Sequence, residues 1–459
     1  MRTKLGVLGI VVALVLAVLP NVGVLRAADA PMVEVYDHVL HDGMVVVKKV
    51  VAAEAGWIVI HAGSEGFPVI GQTYVPAGTT EYVTVAVDVS RATQQMSAML
   101  HVDKGIAGIY EFPGEDVPVR DANNQIVNPA FNVLAVQVDD QFVSAENTVT
   151  IGTVVAQEDG WIVIHADSQG FPAIGHAAIK AGVNKDVVVS VDPNMVTPRM
   201  SAMIHVDRGT LGTYEFPGAD VPPALAPELP RLFGGGISNE GFVTVESVRA
   251  APMLMGSDGV VTVPAALIKE DGWMVIHATT EGAPVIGYAP LKAGLNKNIQ
   301  VEVDMAMYTT GGLLAMLHAD AGAVGTYEFP GADVPLRDAD GQIIAPRFST
   351  YINVNVADQQ LVTVGDATYV IVESISAVQD GWMVIHATSE GAPVIGAQFV
   401  PMGVHRRIIV RIDAAMVTDA LLAMLHVDEG TRGVYEFPGA DVPVRVDDQV
   451  VAPRFNVTK

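Results

Sequence analysis

Polar and apolar positions alternate along most of this chain with a period of two. Val83-Thr84-Val85-Ala86-Val87-Asp88 and Val187-Val188-Val189-Ser190-Val191-Asp192 show the pattern, and long apolar stripes with the 3.6-residue period of a helix are missing. The alternation predicts short β-strands. Turn pairs such as Glu65-Gly66, Ala77-Gly78, Lys104-Gly105 and Pro113-Gly114 separate them, with counterparts further along. About seven such strands per hundred residues, with a tryptophan on an early-middle strand, predict an immunoglobulin-like β-sandwich. A small Greek-key barrel is the competing arrangement.

Three phrases return four times in the same order: Gly-Trp-x-Val-Ile-His-Ala, Ala-Met-x-His-x-Asp and Tyr-Glu-Phe-Pro-Gly, with the first beginning at Gly56, Gly160, Gly272 and Gly381. The period is roughly 100 residues, well beyond the 20 to 50 of solenoid repeats and long enough for each unit to enclose a core. The expectation is four tandem immunoglobulin-like sandwiches, all-β, arranged as beads on a string.

Arg2 and Lys4 precede an apolar run from Leu5 to Leu19, then Pro20 and small residues ending Ala28-Asp29-Ala30, which reads as a secretory signal peptide over 1–30. Its alternative is a retained membrane anchor, although the run is short of the roughly 20 residues that span a bilayer. The repeats are then expected at 31–136, 137–221, 237–357 and 358–459. Units one, three and four close with an extra strand, at Asn128–Val133, Ala345–Phe348 and Ala452–Val457. In unit two the Pro- and Gly-rich segment 222–236 stands in its place and reads as a semi-rigid spacer dividing the array into two pairs.

Cysteine is absent, so neither disulfides nor a lipid-bearing cysteine can hold the exported chain. Half of the residues are apolar and 17% are charged, below the roughly 25% of ordinary soluble domains. Burial must therefore hold each unit. Acidic residues outnumber basic ones 51 to 26, a balance that repels phosphate backbones. Nucleic acid is not expected as a partner, no membrane span is expected in the mature chain, and the partner is an unknown surface or extracellular ligand.

The residues that could carry chemistry recur with the phrases. Each unit has two histidines and a methionine: His61, Met99 and His101; His165, Met203 and His205; His277, Met316 and His318; His386, Met424 and His426. These positions take eight of the chain's 12 histidines. In unit one the accompanying carboxylates are Asp103, Glu111 and Asp116.

Alternate strand residues share a face, so Ala98, Leu100 and Val102 are expected in the core with Met99, His101 and Asp103 turned away. A hairpin through Lys104 to Gly108 would set His101 opposite Glu111, with Tyr110 and Phe112 facing inward. An imidazolium beside Asp103 and Glu111 should titrate above its free value. His61 is harder to place, because both faces of Trp57-Ile58-Val59-Ile60-His61 are apolar. The favoured placement puts Trp57 in the core and buries His61 with it. In the alternative, Ile58 and Ile60 form the core pair, and Trp57, His61, Met99 and His101 share an outer surface.

Three functions fit these residues. A surface or extracellular structural array, acting by repetition and multivalency, comes first. Metal binding by the paired histidines and methionine is second: copper suits imidazole and thioether, and calcium suits the carboxylates, although no Asp-x-Asp-x-Asp-Gly loop is present. Catalysis is third and is not expected, since no serine or cysteine nucleophile persists: Ser64 and Ser168 become Thr280 and then Ser389. No cofactor is required by the first reading.

Together the phrases Gly-Trp-Ile-Val-Ile-His-Ala, Ala-Met-Leu-His-Val-Asp and Tyr-Glu-Phe-Pro-Gly-Glu-Asp-Val-Pro-Val resemble an uncharacterised domain of exported proteins in Chloroflexota-type bacteria and halophilic archaea. The resemblance covers almost the whole mature chain. It implies an exported, tandemly repeated β-sandwich at the cell surface or in the extracellular space, with no activity assigned and no site residues to transfer.

Overall fold

In the computed structural model, residues 30–458 are described, apart from 65, 168–169, 257, 280–281, 309–311, 389–390 and 447–448. The expected leader lies outside the described residues except for Ala30.

Unit one begins with β1 (Met32–Glu34), β2 (His38–Leu40) and β3 (Met44–Ala52), followed by β4 (Gly56–His61), β5 (Val69–Val75) and β6 (Gly78–Ala86). It ends with β7 (Gln95–Val102) and β8 (Ala130–Gln137). One sheet has the order β1-β3-β6; the other has β5-β4-β7-β8, with β2 added parallel to β8. Two sheets exchanging strands in this way make a Greek-key sandwich of the immunoglobulin type, with the strand after β4 on the sheet of β4 and β7. The fold is all-β, and the same plan recurs in all four units.

The register decides which face of β4 is core. Ile58 pairs with Leu100 and Ile60 with Ala98, and these four join Val45, Val47, Val85 and Phe131 between the sheets. Trp57, Val59 and His61 therefore point out of the sandwich, beside His101 and Met99. The expectation that Trp57 lies in the core is overturned, while Ala98 and Leu100 are core as their parity predicts and Val102, at the end of the strand, is only partly buried. A strand apolar on both faces does not reveal which face is inner.

Strand β8 serves two units. Its first half, Ala130–Asn132, pairs with β7, and its second half, Ala135–Gln137, pairs with β9 (Thr148–Ala156) of unit two. Phe131, Val133 and Ala135 enter the first core, while Leu134 and Val136 enter the second. Units one and two are thus joined through one continuous strand rather than a flexible link. Unit two continues with β10 (Gly160–His165), β11 (Ala173–Ile179), β12 (Gly182–Ser190) and β13 (Arg199–Val206).

Unit two also has a closing strand, contrary to the sequence reading. Glu240–Val243 pairs with Arg199–Ala202 of β13, beyond the Pro- and Gly-rich segment. That segment is itself ordered: Ala224–Leu225 pairs with Gly236–Ile237, and Phe233 is 1% exposed. Phe233 lies against Tyr82 of unit one and Tyr369 of unit four, with ring centres at 4.6 and 5.5 Å.

The chain consequently turns back so that its first and last units touch. Tyr82 meets Tyr369 edge to face at 4.9 Å, Tyr74 meets Phe399 at 5.5 Å, and the Arg432 guanidinium sits 4.0 Å above the Tyr74 ring. Ion pairs Arg407–Asp42 at 2.6 Å and Arg411–Glu81 at 3.1 Å flank the contact. The beads-on-a-string and two-pair expectations give way to a closed arrangement. Its cause is local divergence: Tyr74 and Phe399 correspond to Ala178 and Pro290 in units two and three, so only the outer units carry aromatic rings to bury there.

Candidate functional site

The outward face of β4 and β7 is covered, although it faces away from the sandwich core. After β7 the chain folds back, with Val117–Val119 and Val127 bonded along the free edge of β7 and the Lys104–Gly114 crest laid over the exposed face. Tyr110 and Phe112 close on His101 at ring-centre distances of 5.7 and 5.0 Å, and Tyr110 lies 5.5 Å from Trp57. The result is a second, smaller apolar layer in which His61 is 1% and His101 0% exposed. The same holds for His165 and His205, His277 and His318, and His386 and His426.

Asp116 is the pin of this layer. Fully buried, its carboxylate accepts from the Lys104 and Glu111 amides, both at 2.7 Å, and its main-chain oxygen accepts from His101 Nδ1 at 2.9 Å. Asp220, Asp333 and Asp441 repeat all three contacts. Glu111 turns to the Ile106 amide at 2.7 Å, and Asp103 accepts from Gly108 N and Trp57 Nε1 at 3.0 and 3.4 Å. A buried carboxylate that accepts two backbone amides fixes a turn.

These contacts correct the sequence reading of the loop. Tyr110 and Phe112, not Glu111, face the histidine. With the carboxylates engaged elsewhere, burial dominates and holds His101 below its ordinary value, against the raising effect of its bond to Asp116. His61, buried beside His101, is lowered to about 4, as are His165, His318 and His386. The imidazoles are neutral at pH 7.

Neutrality fixes the tautomer of His101. Because Nδ1 donates to the Asp116 carbonyl, Nε2 carries a lone pair and no proton. That lone pair is 3.1 Å from Met99 Sδ, and His318 Nε2 is 3.3 Å from Met316 Sδ. In units two and four, buried His205 Nε2 and His426 Nε2 have no hydrogen-bond partner. His61 and His165 have none at either ring nitrogen, while the Gly282 and Gly391 main chain approaches His277 and His386. The two rings of a unit are close: centres are 6.1, 5.6, 5.9 and 5.8 Å apart in chain order. The structure therefore brings His61, Met99 and His101 together, and His277, Met316 and His318 likewise, while in units two and four it pairs the histidines with Met203 and Met424 on the same strand face but without a sulfur contact at Nε2; the carboxylates serve backbone amides. Among the described residues no group of three or more His, Cys, Asp or Glu side chains is placed to hold a metal ion.

Sequence reasoning set Trp57 beside Tyr110 as a possible carbohydrate-binding face but missed the third ring that the neighbouring strand adds in units two and three. In unit two Trp161, His176 and Tyr214 meet, with His176 stacked on Tyr214 at 4.2 Å; in unit three Tyr288 lies tilted against Tyr327 at 4.3 Å. Tyr288 is 51% exposed. The signal was the variable position occupied by Gln72, His176, Tyr288 and Ala397, which lies on the outward face of the strand after β4 in each unit.

Comparison with known proteins agrees with the repeat. The chain is 27% identical over 231 residues to cell surface glycoprotein 1 of Haloarcula hispanica, covering 48% of this chain and 24% of that protein. It is 25% identical over 224 residues to cell surface glycoprotein 2 of the same organism, covering 48% and 22%. It thus spans about a quarter of the length of these curated relatives. Among solved structures, a tetra-tandem repeat from the extending region of a large adhesion protein aligns with 84% of this chain and 91% of its own, at 12% identity and a TM-score of 0.15. Drosophila N-cadherin EC1-4 aligns with 89% and 93%, at 9% identity and a TM-score of 0.19. Residues 31–133, 134–226, 246–349 and 353–458 each match one family, and the chain belongs to it: Domain of unknown function (DUF7282), carried here in four copies.

Proposed function

We propose that this is an exported structural protein of the cell surface, which presents four linked sandwiches to the extracellular space and carries out no catalysis. The observation that carries the reading is the burial of the recurrent histidines: at 0 to 1% exposure in every unit, they offer no face to a substrate. What the units present is turn and strand surface, held in a fixed arrangement by the shared strand β8 and by the contact between the first and last units. Similarity to two cell surface glycoproteins supports the location, as does the leader-like start of the sequence. Among the described residues no helix is long and apolar enough to cross a membrane.

Repetition suits a surface role because each added copy raises the effective concentration of a weak contact without any new chemistry. Protease treatment of intact cells, followed by fractionation, tests the location. The chain should be cleaved or shed from intact cells and recovered with the envelope or the medium. Recovery of uncleaved protein in the cell interior would sink the proposal. A pull-down against cell-wall glycans addresses the ligand.

A further inference from the structure

A neutral imidazole beside a thioether, with no proton between them, is an unusual pair to bury. His101 Nε2 and Met99 Sδ at 3.1 Å cannot hydrogen-bond, because Nδ1 holds the ring's one proton against the Asp116 carbonyl. Opposite them His61 is enclosed with both nitrogens unpartnered. An apolar side chain of similar size would fill the His61 position without leaving a polar atom unsatisfied. Yet all four units keep both histidines and the methionine, although Phe67 and Phe171 have become Ala283 and Ala392 next door.

We propose that each unit binds one soft monovalent cation, Cu⁺, between its two histidines and its methionine: His61, His101 and Met99 in unit one, and the equivalent residues in the other three. Two imidazoles holding one ion at about 2 Å set their ring centres roughly 5.5 to 6.5 Å apart. The four observed pairs lie between 5.6 and 6.1 Å. Nitrogen and thioether donors with no carboxylate select a soft ion over calcium, and here Asp103, Glu111 and Asp116 aim their oxygens at backbone amides.

The surrounding shell has the form such a site needs. A ligating histidine usually donates its other N–H to a carbonyl or carboxylate, which fixes its orientation; His101, His205, His318 and His426 all do so through Nδ1 to the carbonyl of the buried aspartate. Gly66, at a φ of 86°, lets the loop after His61 pass over the methionine, since a Cβ there would lie 2.7 Å from Met99 Cε. In unit one the Phe67 ring stands edge-on to His61 at 6.3 Å and is 68% exposed, which places the ligand set one side chain from solvent.

Anaerobic titration of the full chain with Cu⁺ against a chromophoric chelator reads the stoichiometry. Four ions per chain are expected, His61→Phe should reduce the number to three, and His176→Ala should leave it at four. Met99→Leu, which replaces the thioether with a hydrocarbon of similar shape, should weaken one site at least tenfold and so reads the site even if the histidine variant does not fold. X-ray absorption of the loaded chain should show sulfur and nitrogen around copper. Fewer than one ion per chain, four ions retained after Met99→Leu with unchanged affinity, or a copper shell without sulfur would overturn the proposal, leaving the surface role untouched.

Discussion

Tyr82 of the first unit and Tyr369 of the last meet edge to face with ring centres 4.9 Å apart, and Phe233 from the intervening segment closes the third side of the cluster. Edge-to-face packing satisfies the ring quadrupoles while burying both faces. Residues far apart in sequence thus bind the ends of the array together.

Phe233→Ala should be felt in the whole chain. Removing a fully buried phenylalanine costs about 3–5 kcal/mol where the site cannot collapse, and this one supports two units at once. Urea unfolding should show the loss, and small-angle scattering should show a larger radius of gyration as the first and last units separate. An unchanged radius would mean that the remaining contacts suffice.

Strand β8 offers a test by parity. One glycine inserted between Val133 and Leu134 reverses the faces of every residue after it, sending Leu134 toward the wrong core; a two-residue insertion restores the alternation. The single insertion should therefore destabilise units one and two more than the double one. Thermal unfolding of the two variants would show the order, and equal effects would contradict a strand shared by two cores.

Acid should weaken the protein through its buried histidines. Their folded values are lowered from 6.5 to about 4 for His61, His165, His318 and His386, so between those limits the unfolded chain binds more protons than the folded one. Stability is fully present above about pH 6.5 and falls as the pH drops toward 4. Urea midpoints across that window should decline, and His61→Phe should flatten the decline. NMR titration of the imidazoles gives the same information residue by residue.

Asp116→Asn keeps the size of the side chain but replaces one accepting oxygen with an amide donor. One of the two backbone amides that Asp116 now accepts, at Lys104 or Glu111, then faces a donor, a loss of about 1–3 kcal/mol. The crest carrying Tyr110 and Phe112 should loosen. Faster amide exchange at Lys104 and Glu111, with exchange in β3 and β6 unchanged, is the expected signature.

Strands, repeat number and all-β class were legible from the chain alone, because period-two alternation and recurring turn residues are local properties that each segment carries with it. The recurrence of His61, Met99 and His101 likewise marked the residues that meet in space. Orientation was legible for β7, whose aliphatic parity marks Ala98 and Leu100 as core, but not for β4. Both faces of Trp57–His61 are apolar, so only the pairing with β7 and the return of the Lys104–Gly114 crest decide that Ile58 and Ile60 face the core while the histidines lie in a second layer. That burial, in turn, lowers the histidine pKa values that proximity to carboxylates was expected to raise. The contact of the first unit with the last depended on tertiary structure too, since Tyr74, Tyr82, Tyr369 and Phe399 gain their meaning from partners hundreds of residues away, which no local pattern encodes.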